Sequence, residues 1–230
     1  MDFDFSPYFK KYEELVAVAE DAFNRVKKDH PECVKCELGC AECCHAFFDL
    51  TLIEALYVNH KFKSAFEGEQ RETMLERANR ADRKTYQIKK RAGKMMKEGS
   101  TDQEILEKIA SESVRCSLLN DKDLCDLYDF RPITCRLYGV PTAIGGKAHT
   151  CGLSAFSPGE SYPTANLDRI QSAMMALSNA LVADLKSKYV TLGEMLVPLS
   201  MALLTDYDEK YLGLTSDADE KTGSTENENE

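Results

Sequence analysis

Apolar positions recur in helical steps at both ends of this chain and lose that period in the middle. Phe9, Tyr12, Val16, Ala19, Phe23 and Val26 follow one another at spacings of three and four, which predicts an amphipathic helix from about Pro7 to Asp29. Ser6 then reads as its N-cap and Pro7 as its first helical position. His30-Pro31 ends it, because proline lacks the donor and restricts the residue before it. A second helix opens at Thr51-x-x-Glu54, read as a capping box, with Leu52, Leu56 and Tyr57 on its apolar side. Residues 69–98 carry only a thin stripe of Met74, Ala78, Ala81, Ile88, Ala92 and Met95, as in an exposed helix or one arm of a hairpin. After Gly99-Ser100, Thr101-x-x-Glu104 is another capping box, heading a short helix through Ile105, Leu106 and Ile109. Beyond Pro163, Leu167, Ile170, Met174, Leu177, Leu181 and Leu185 form a regular helical stripe. A final helix is expected from about Leu192 to Leu204, kinked at Pro198.

Residues 113–156 have frequent turn residues and no helical repeat. Within them, Gly145-Gly146 separates two short strand-like runs and predicts a β-hairpin. The expected fold is mainly α, with helices packed around an irregular cysteine-rich metal-binding centre that carries a small β-hairpin. The corresponding divisions are an N-terminal helix (1–32), the cysteine-rich segment (33–155), C-terminal helices packing on it (156–214) and an acidic tail (215–230). Residues 216–230 hold six acids, one lysine and few apolar anchors, the composition of a disordered segment.

Nine cysteines change the picture. Five fall within twelve residues, at Cys33, Cys36, Cys40, Cys43 and Cys44; Cys116, Cys125, Cys135 and Cys151 follow later. A chain of 230 residues can bury a core without crosslinks, and an odd cysteine count suits a complete disulfide framework poorly. The N-terminal stretch has no basic region followed by an apolar run, and no apolar stretch is long enough to span a membrane. The expectation is a cytoplasmic protein with reduced thiols, where clustered cysteines bind metal or carry redox chemistry. The net charge of −10, without a basic stripe or a tryptophan, argues against a nucleic-acid partner, and the basic stretch 77–97 reads as a solvated helix face.

Thiolates are soft ligands, and four of them close a tetrahedral zinc site or hold an iron–sulfur cluster. All nine cysteines are candidate metal ligands, enough for one four-thiolate site with spares or two sites with one left over. Side chains of adjacent residues diverge, so Cys43 and Cys44 read as facing two centres or as one ligand beside one core thiol. His45 and His149 lie near Cys44 and Cys151 and are secondary ligand candidates. Arg131 and Arg136 flank Cys135 and are candidate cofactor-binding residues, because permanent positive charge offsets a negative thiolate site; an ordinary ion pair with an acid such as Asp126 or Asp129 is the competing reading. Glu54 is assigned to its capping box, and Tyr128 and Tyr138 to packing. Cys36-x3-Cys40-x2-Cys43 has the spacing of a radical-SAM motif, but Glu42 stands where such enzymes place an aromatic, and helices follow rather than βα units.

The front cluster, the Thr51-x-x-Glu54 helix and the block Arg115-Cys116-x-Leu118-Leu119, Cys125-x-x-Tyr128-x-x-Arg131-Pro132-x-x-Cys135-Arg136, Tyr138-Gly139 together resemble the zinc- or iron-chelating domain family named for its CxxCxxCC motif, over about residues 33–155. Cys40, Cys43, Cys44, Cys125 and Cys135 match that pattern. The chain departs from it in the three residues between Cys36 and Cys40 and in the additional Cys33. The resemblance implies a metal or cluster site without fixing a reaction; one relative, a bacterial flagellin lysine N-methylase, joins a similar cysteine domain to protein methylation. Three readings follow. The first is a metalloprotein holding an iron–sulfur cluster or, alternatively, zinc, with a redox or structural role. The second is a cluster-dependent protein-modifying enzyme, and the third is a module delivering metal to a protein partner.

Overall fold

The computed structural model describes residues 3–37 and 39–214. In chain order the described elements are α1 (Ser6–Asp29), β1 (Asp49–Thr51), α2 (Leu52–Ala65), α3 (Gly68–Lys97), α4 (Asp102–Ala110), α5 (Ile133–Leu137), β2 (Thr142–Ile144), β3 (Lys147–His149), β4 (Ala165–Asn166), α6 (Leu167–Asp184), β5 (Leu196–Pro198) and α7 (Leu199–Leu204). The fold is mainly α. The predicted acidic tail lies outside the described residues. No helix among the described residues is long and apolar enough to cross a membrane.

The molecule is built around α2. Leu52, Ile53, Ala55, Leu56, Tyr57, Val58 and Phe62 are all buried, so this helix is apolar on nearly every face and must be enclosed by other elements. Helices α1, α6 and α7 surround it. Its two polar interior residues are both paired: Asn59 donates from Nδ2 to the carbonyls of Ala202 (2.8 Å) and Thr205 (3.1 Å), while Glu54 accepts from Tyr12 and from the Ile133 amide. The long α3 lies outside, packed through Met74, Ala78, Thr85 and Ile88 against α7 and α4, as its thin stripe predicts.

The capping boxes have different outcomes. At Thr101, the hydroxyl accepts the Glu104 amide (3.3 Å) and the Glu104 carboxylate accepts the Thr101 amide (2.8 Å), the complete reciprocal pair. At Thr51 no box forms. Thr51 belongs to β1 and pairs with Leu196 of β5; its hydroxyl is buried without a partner, and Glu54 turns into the core. The start of α2 is capped from outside by Ser178 of α6, whose Oγ accepts the Ile53 amide at 3.1 Å. The start of α1 also shifts by one residue: Phe5 is the cap, Ser6 is already helical, and the Asp4 carboxylate accepts the Ser6 amide at 2.9 Å.

The single helix expected over 192–204 is divided. A 3₁₀ turn (Leu192–Glu194) leads into β5, which pairs antiparallel with β1 in the register Asp49↔Pro198, Leu50↔Val197, Thr51↔Leu196. Pro198 ends the strand and caps α7, a position where its missing amide hydrogen costs nothing. The predicted hairpin forms as β2 and β3, with Gly145 (φ 58°) and Gly146 (φ 73°) both left-handed, as a two-residue primed turn requires. The short β4 adds parallel to β2, a pairing that the local pattern does not announce.

Candidate metal centre

Four chain segments deliver the thiols, and each is held by a separate device. The front segment passes through a 3₁₀ turn at Glu42–His45 and is anchored where the Cys33 carbonyl accepts the Ala155 amide (2.9 Å). The 114–116 segment lies alongside it, the Cys116 amide bonding to the Cys44 carbonyl (2.7 Å) and the Val114 amide to that of His45 (3.2 Å). Between Cys116 and Cys125 the chain forms a tight loop around Asn120, whose Oδ1 accepts the amides of Lys122 (2.9 Å) and Leu124 (3.1 Å) and whose Nδ2 reaches Asp126 (2.8 Å). Arg77 of α3 clamps this loop from outside, donating to the Leu119 carbonyl (2.9 Å) and pairing with Asp126 (3.2 Å). The basic face of α3 is therefore only partly solvated: Lys89 pairs with Asp49 and Arg91 with Glu112, so this face grips the cysteine-rich segment.

Cys135 rides on α5, whose first amide, that of Ile133, bonds to the Glu54 carboxylate at 2.8 Å. Glu54 is thus a positioning group for the cysteine helix rather than a cap. Enclosure on all sides raises its pKa above the usual carboxylate value, against the lowering effect of the Ile133 amide, the Tyr12 hydroxyl and Arg136. Gly139 supplies the remaining close approach. A Cβ there would stand 2.6 Å from the Cys36 Cβ and 3.3 Å from its sulfur, so only glycine lets Cys36 in.

These devices bring Cys36, Cys40, Cys43, Cys44, Cys116, Cys125 and Cys135 to the lining of one cavity. A narrower cleft beside it is lined by Cys36, Cys40, Cys43 and Cys151, with Tyr138 and Gly139. The sulfurs of Cys135, Cys43, Cys44 and Cys116 lie in a row of successive contacts. Hydrogen bonds from Cys135 and Cys44 hold the Cys43 thiol far below its ordinary pKa, with Arg131 adding to the effect. Cys116 is lowered by its contact with Cys44, whereas the partner thiols Cys44 and Cys135 are raised. Burial pushes Cys125 up to about 12.

Backbone amides also point at sulfur. The Leu118 amide bonds to Cys116 Sγ and the Leu153 amide to Cys151 Sγ, both at 3.4 Å. An amide directed at sulfur favours the thiolate, the form that binds metal. Arg131 lines the larger cavity, with its guanidinium 3.9 Å from the Tyr128 ring centroid and its Nε buried without a hydrogen-bond partner. The donor set therefore suits a soft cation: crowded thiols, amides that stabilise sulfur charge, and one cation facing them. Among the described residues, no three Cys, His, Asp or Glu side chains already stand as a group able to hold a metal ion, so ligation requires the thiols to draw in around it.

A family model described as "CxxCxxCC: Putative zinc- or iron-chelating domain" matches residues 32–152, just over half of the chain. The chain belongs to this family. The matched span of this CxxCxxCC protein contains all nine cysteines together with Arg131 and Arg136. Searches of curated proteins and of solved structures returned no match.

Within the family domain, the predicted site residues are not all gathered together. Cys33 stands apart from both cavities, its thiol donating to Glu32 at 3.4 Å. Arg136 is buried away from the thiols; it pairs with Glu20 of α1 and donates to the Asp129 carbonyl and, from Nε, to that of Arg131 (2.9 Å). Its contribution here is to hold the backbone that presents Arg131. His149 is exposed on β3, and His45 borders a shallow depression with Cys40. Sequence reasoning missed the amide–sulfur bonds, although a signal was present. Cys-x-Leu occurs at Cys116, Cys125 and Cys151, and at Cys116 and Cys151 the amide two residues on reaches the sulfur. The same spacing at Cys135 falls within α5, and at Cys36 it leads to Leu38, outside the described residues.

Proposed function

We propose that this metal-chelating protein holds an iron–sulfur cluster on thiolates of its cysteine-rich segment. The observation that carries the reading is the lining of the larger cavity by seven of the nine cysteines, a crowded soft-donor set, with the fixed positive charge of Arg131 facing them. A cluster held by thiolates carries net negative charge; Arg131 offsets it, and Arg136 orients the loop through the Arg131 carbonyl. When bound, the cluster supplies one-electron redox chemistry. The amides of Leu118 and Leu153 hold negative charge on the sulfurs of Cys116 and Cys151.

Two features favour particular roles. The larger cavity extends past the thiols to Phe47, Phe48 and Leu199, and it includes Asp49 and Ser117, each with a buried oxygen lacking a partner. That is room for a cosubstrate of a protein-modifying or redox reaction. Cys40 also borders the open depression beside His45, which favours the second reading, a zinc-binding module that stabilises structure or hands metal to a protein partner. Anaerobic purification with zinc, iron and acid-labile sulfide counted per chain, beside an absorption spectrum, separates the readings. Iron with matching sulfide and a broad band near ~400 nm, the region of thiolate-to-iron charge transfer, is the expected result. Stoichiometric zinc without sulfide would replace it with the second reading.

A further inference from the structure

The two spaces that the cysteines line share a wall. Cys36, Cys40 and Cys43 line both, Cys151 lines only the narrow cleft, and Cys44, Cys116, Cys125 and Cys135 line only the larger cavity. We propose that the chain holds two neighbouring four-thiolate metal centres, one on Cys36, Cys40, Cys43 and Cys151 and the other on Cys44, Cys116, Cys125 and Cys135, with Cys33 left over. This inference rests on the metal-binding reading and deepens it by assigning ligands and number.

Several independent observations support the division. The larger cavity has four thiols without using the shared wall, and the cleft reaches four only by using all of it. The electrostatic neighbours of Cys36 include Cys40, Cys43 and Cys151, the other members of its set. Cys43 and Cys44 are adjacent in a 3₁₀ turn, and their sulfurs meet, so this pair stands at the boundary where the two centres touch. Both sets contain a cysteine whose sulfur receives an amide two residues on: Cys151 in one, Cys116 in the other. Gly139 lines the cleft and not the larger cavity, and it makes room there for Cys36. Cys33, the ninth thiol, is engaged with Glu32 on neither lining. The Cys43–Cys135 contact makes the two sets immediate neighbours, with Arg131 acting electrostatically on members of each.

Cobalt(II) titration of the reduced, metal-free full-length chain under anaerobic conditions tests this, with bound equivalents read from the thiolate-to-cobalt charge-transfer absorbance and from direct metal counting. The wild type is expected to saturate at two equivalents. Cys151→Ser and Cys116→Ser are each expected to lose about one equivalent, the pair together both, and Cys33→Ser none. Saturation of the wild type at one equivalent would overturn the two-centre assignment while leaving metal binding intact. Loss of a full equivalent in Cys33→Ser would overturn the ligand division. No cobalt bound at all would overturn the metal-binding reading together with this one. Because the wild-type stoichiometry is decisive by itself, misfolding of a variant, detected by far-UV circular dichroism, does not remove the test.

Discussion

The α2 core and the cysteine centre are adjacent parts of one molecule held by different physics. Around α2 nearly every side chain is apolar and enclosed, and the interior polar groups Glu54, Asn59 and Ser178 have specific partners. The cysteine centre has little regular structure: a 3₁₀ turn, a loop wound around Asn120, the short α5 and a small hairpin. Its interior consists of thiols that crowd one another, with sulfurs poised alternately toward and away from ionisation. The core is held by apolar burial and paired interior polar groups, whereas the centre is a crowd of thiols that a bound cation would draw together. Glu54 joins the two, since one carboxylate on the core helix holds both Tyr12 of α1 and the start of the helix bearing Cys135.

Breaking that joint has the largest expected effect. Glu54→Ala leaves the Tyr12 hydroxyl and the Ile133 amide buried without a partner and should cost about 3 kcal/mol, from penalties of about 1–3 kcal/mol per unsatisfied group. Urea denaturation checks the loss, and metal content should fall with it because Cys135 is no longer positioned. Glu54→Gln keeps an oxygen able to accept both bonds and gives a pH signature. Burial raises the folded pKa of Glu54 above the ordinary glutamate value of 4.5, so its contribution is fully present below about 4.5 and declines as pH rises through the folded value. The wild type should therefore lose stability relative to Glu54→Gln as pH increases through that window. A difference that is flat with pH would mean the carboxylate is not penalised by its burial.

The next effect sharpens the comparison from the other side. Gly139→Ala places a methyl group 2.6 Å from the Cys36 Cβ and must displace that cysteine. Overpacking of this kind costs about 1–3 kcal/mol, which corresponds to a loss of metal affinity of roughly five- to 150-fold if it falls on binding. Competition with a chromophoric chelator measures it; α2 packing, followed by near-UV circular dichroism, should be unchanged. The smallest effect is expected outside both regions. Thr101→Ala removes the capping box of α4 and should cost about 1 kcal/mol of stability, seen as a small shift in the denaturation midpoint with metal affinity unaltered. A metal defect in that variant would mean that α4 supports the centre.

The two capping boxes explain how much of this was legible beforehand. Thr101-x-x-Glu104 behaves as its sequence predicts because it is exposed and nothing competes for either side chain. Thr51-x-x-Glu54 has the same pattern, but β5 recruits Thr51 into a strand while the buried surroundings recruit Glu54. Pro198 likewise reads locally as a kink and becomes the junction between β5 and α7, since residues 196–198 find a strand partner nearly 150 positions earlier. Arg131 and Arg136 are indistinguishable by position, both flanking Cys135. Only the approach of Glu20 on α1 separates the one paired within the core from the one at the thiols.

The sequence by itself determined the long helices, the hairpin turn at Gly145-Gly146, the irregular character of the middle and the presence of a soft-metal donor set. These depend on the helical period, on glycine's left-handed freedom and on the chemistry of sulfur, all of which act within a few residues. The tertiary structure decided which thiols share a space, which stands aside, which arginine faces them and what Glu54 holds. Those outcomes depend on which distant segments come within a few ångströms of one another, and no local pattern encodes that distance.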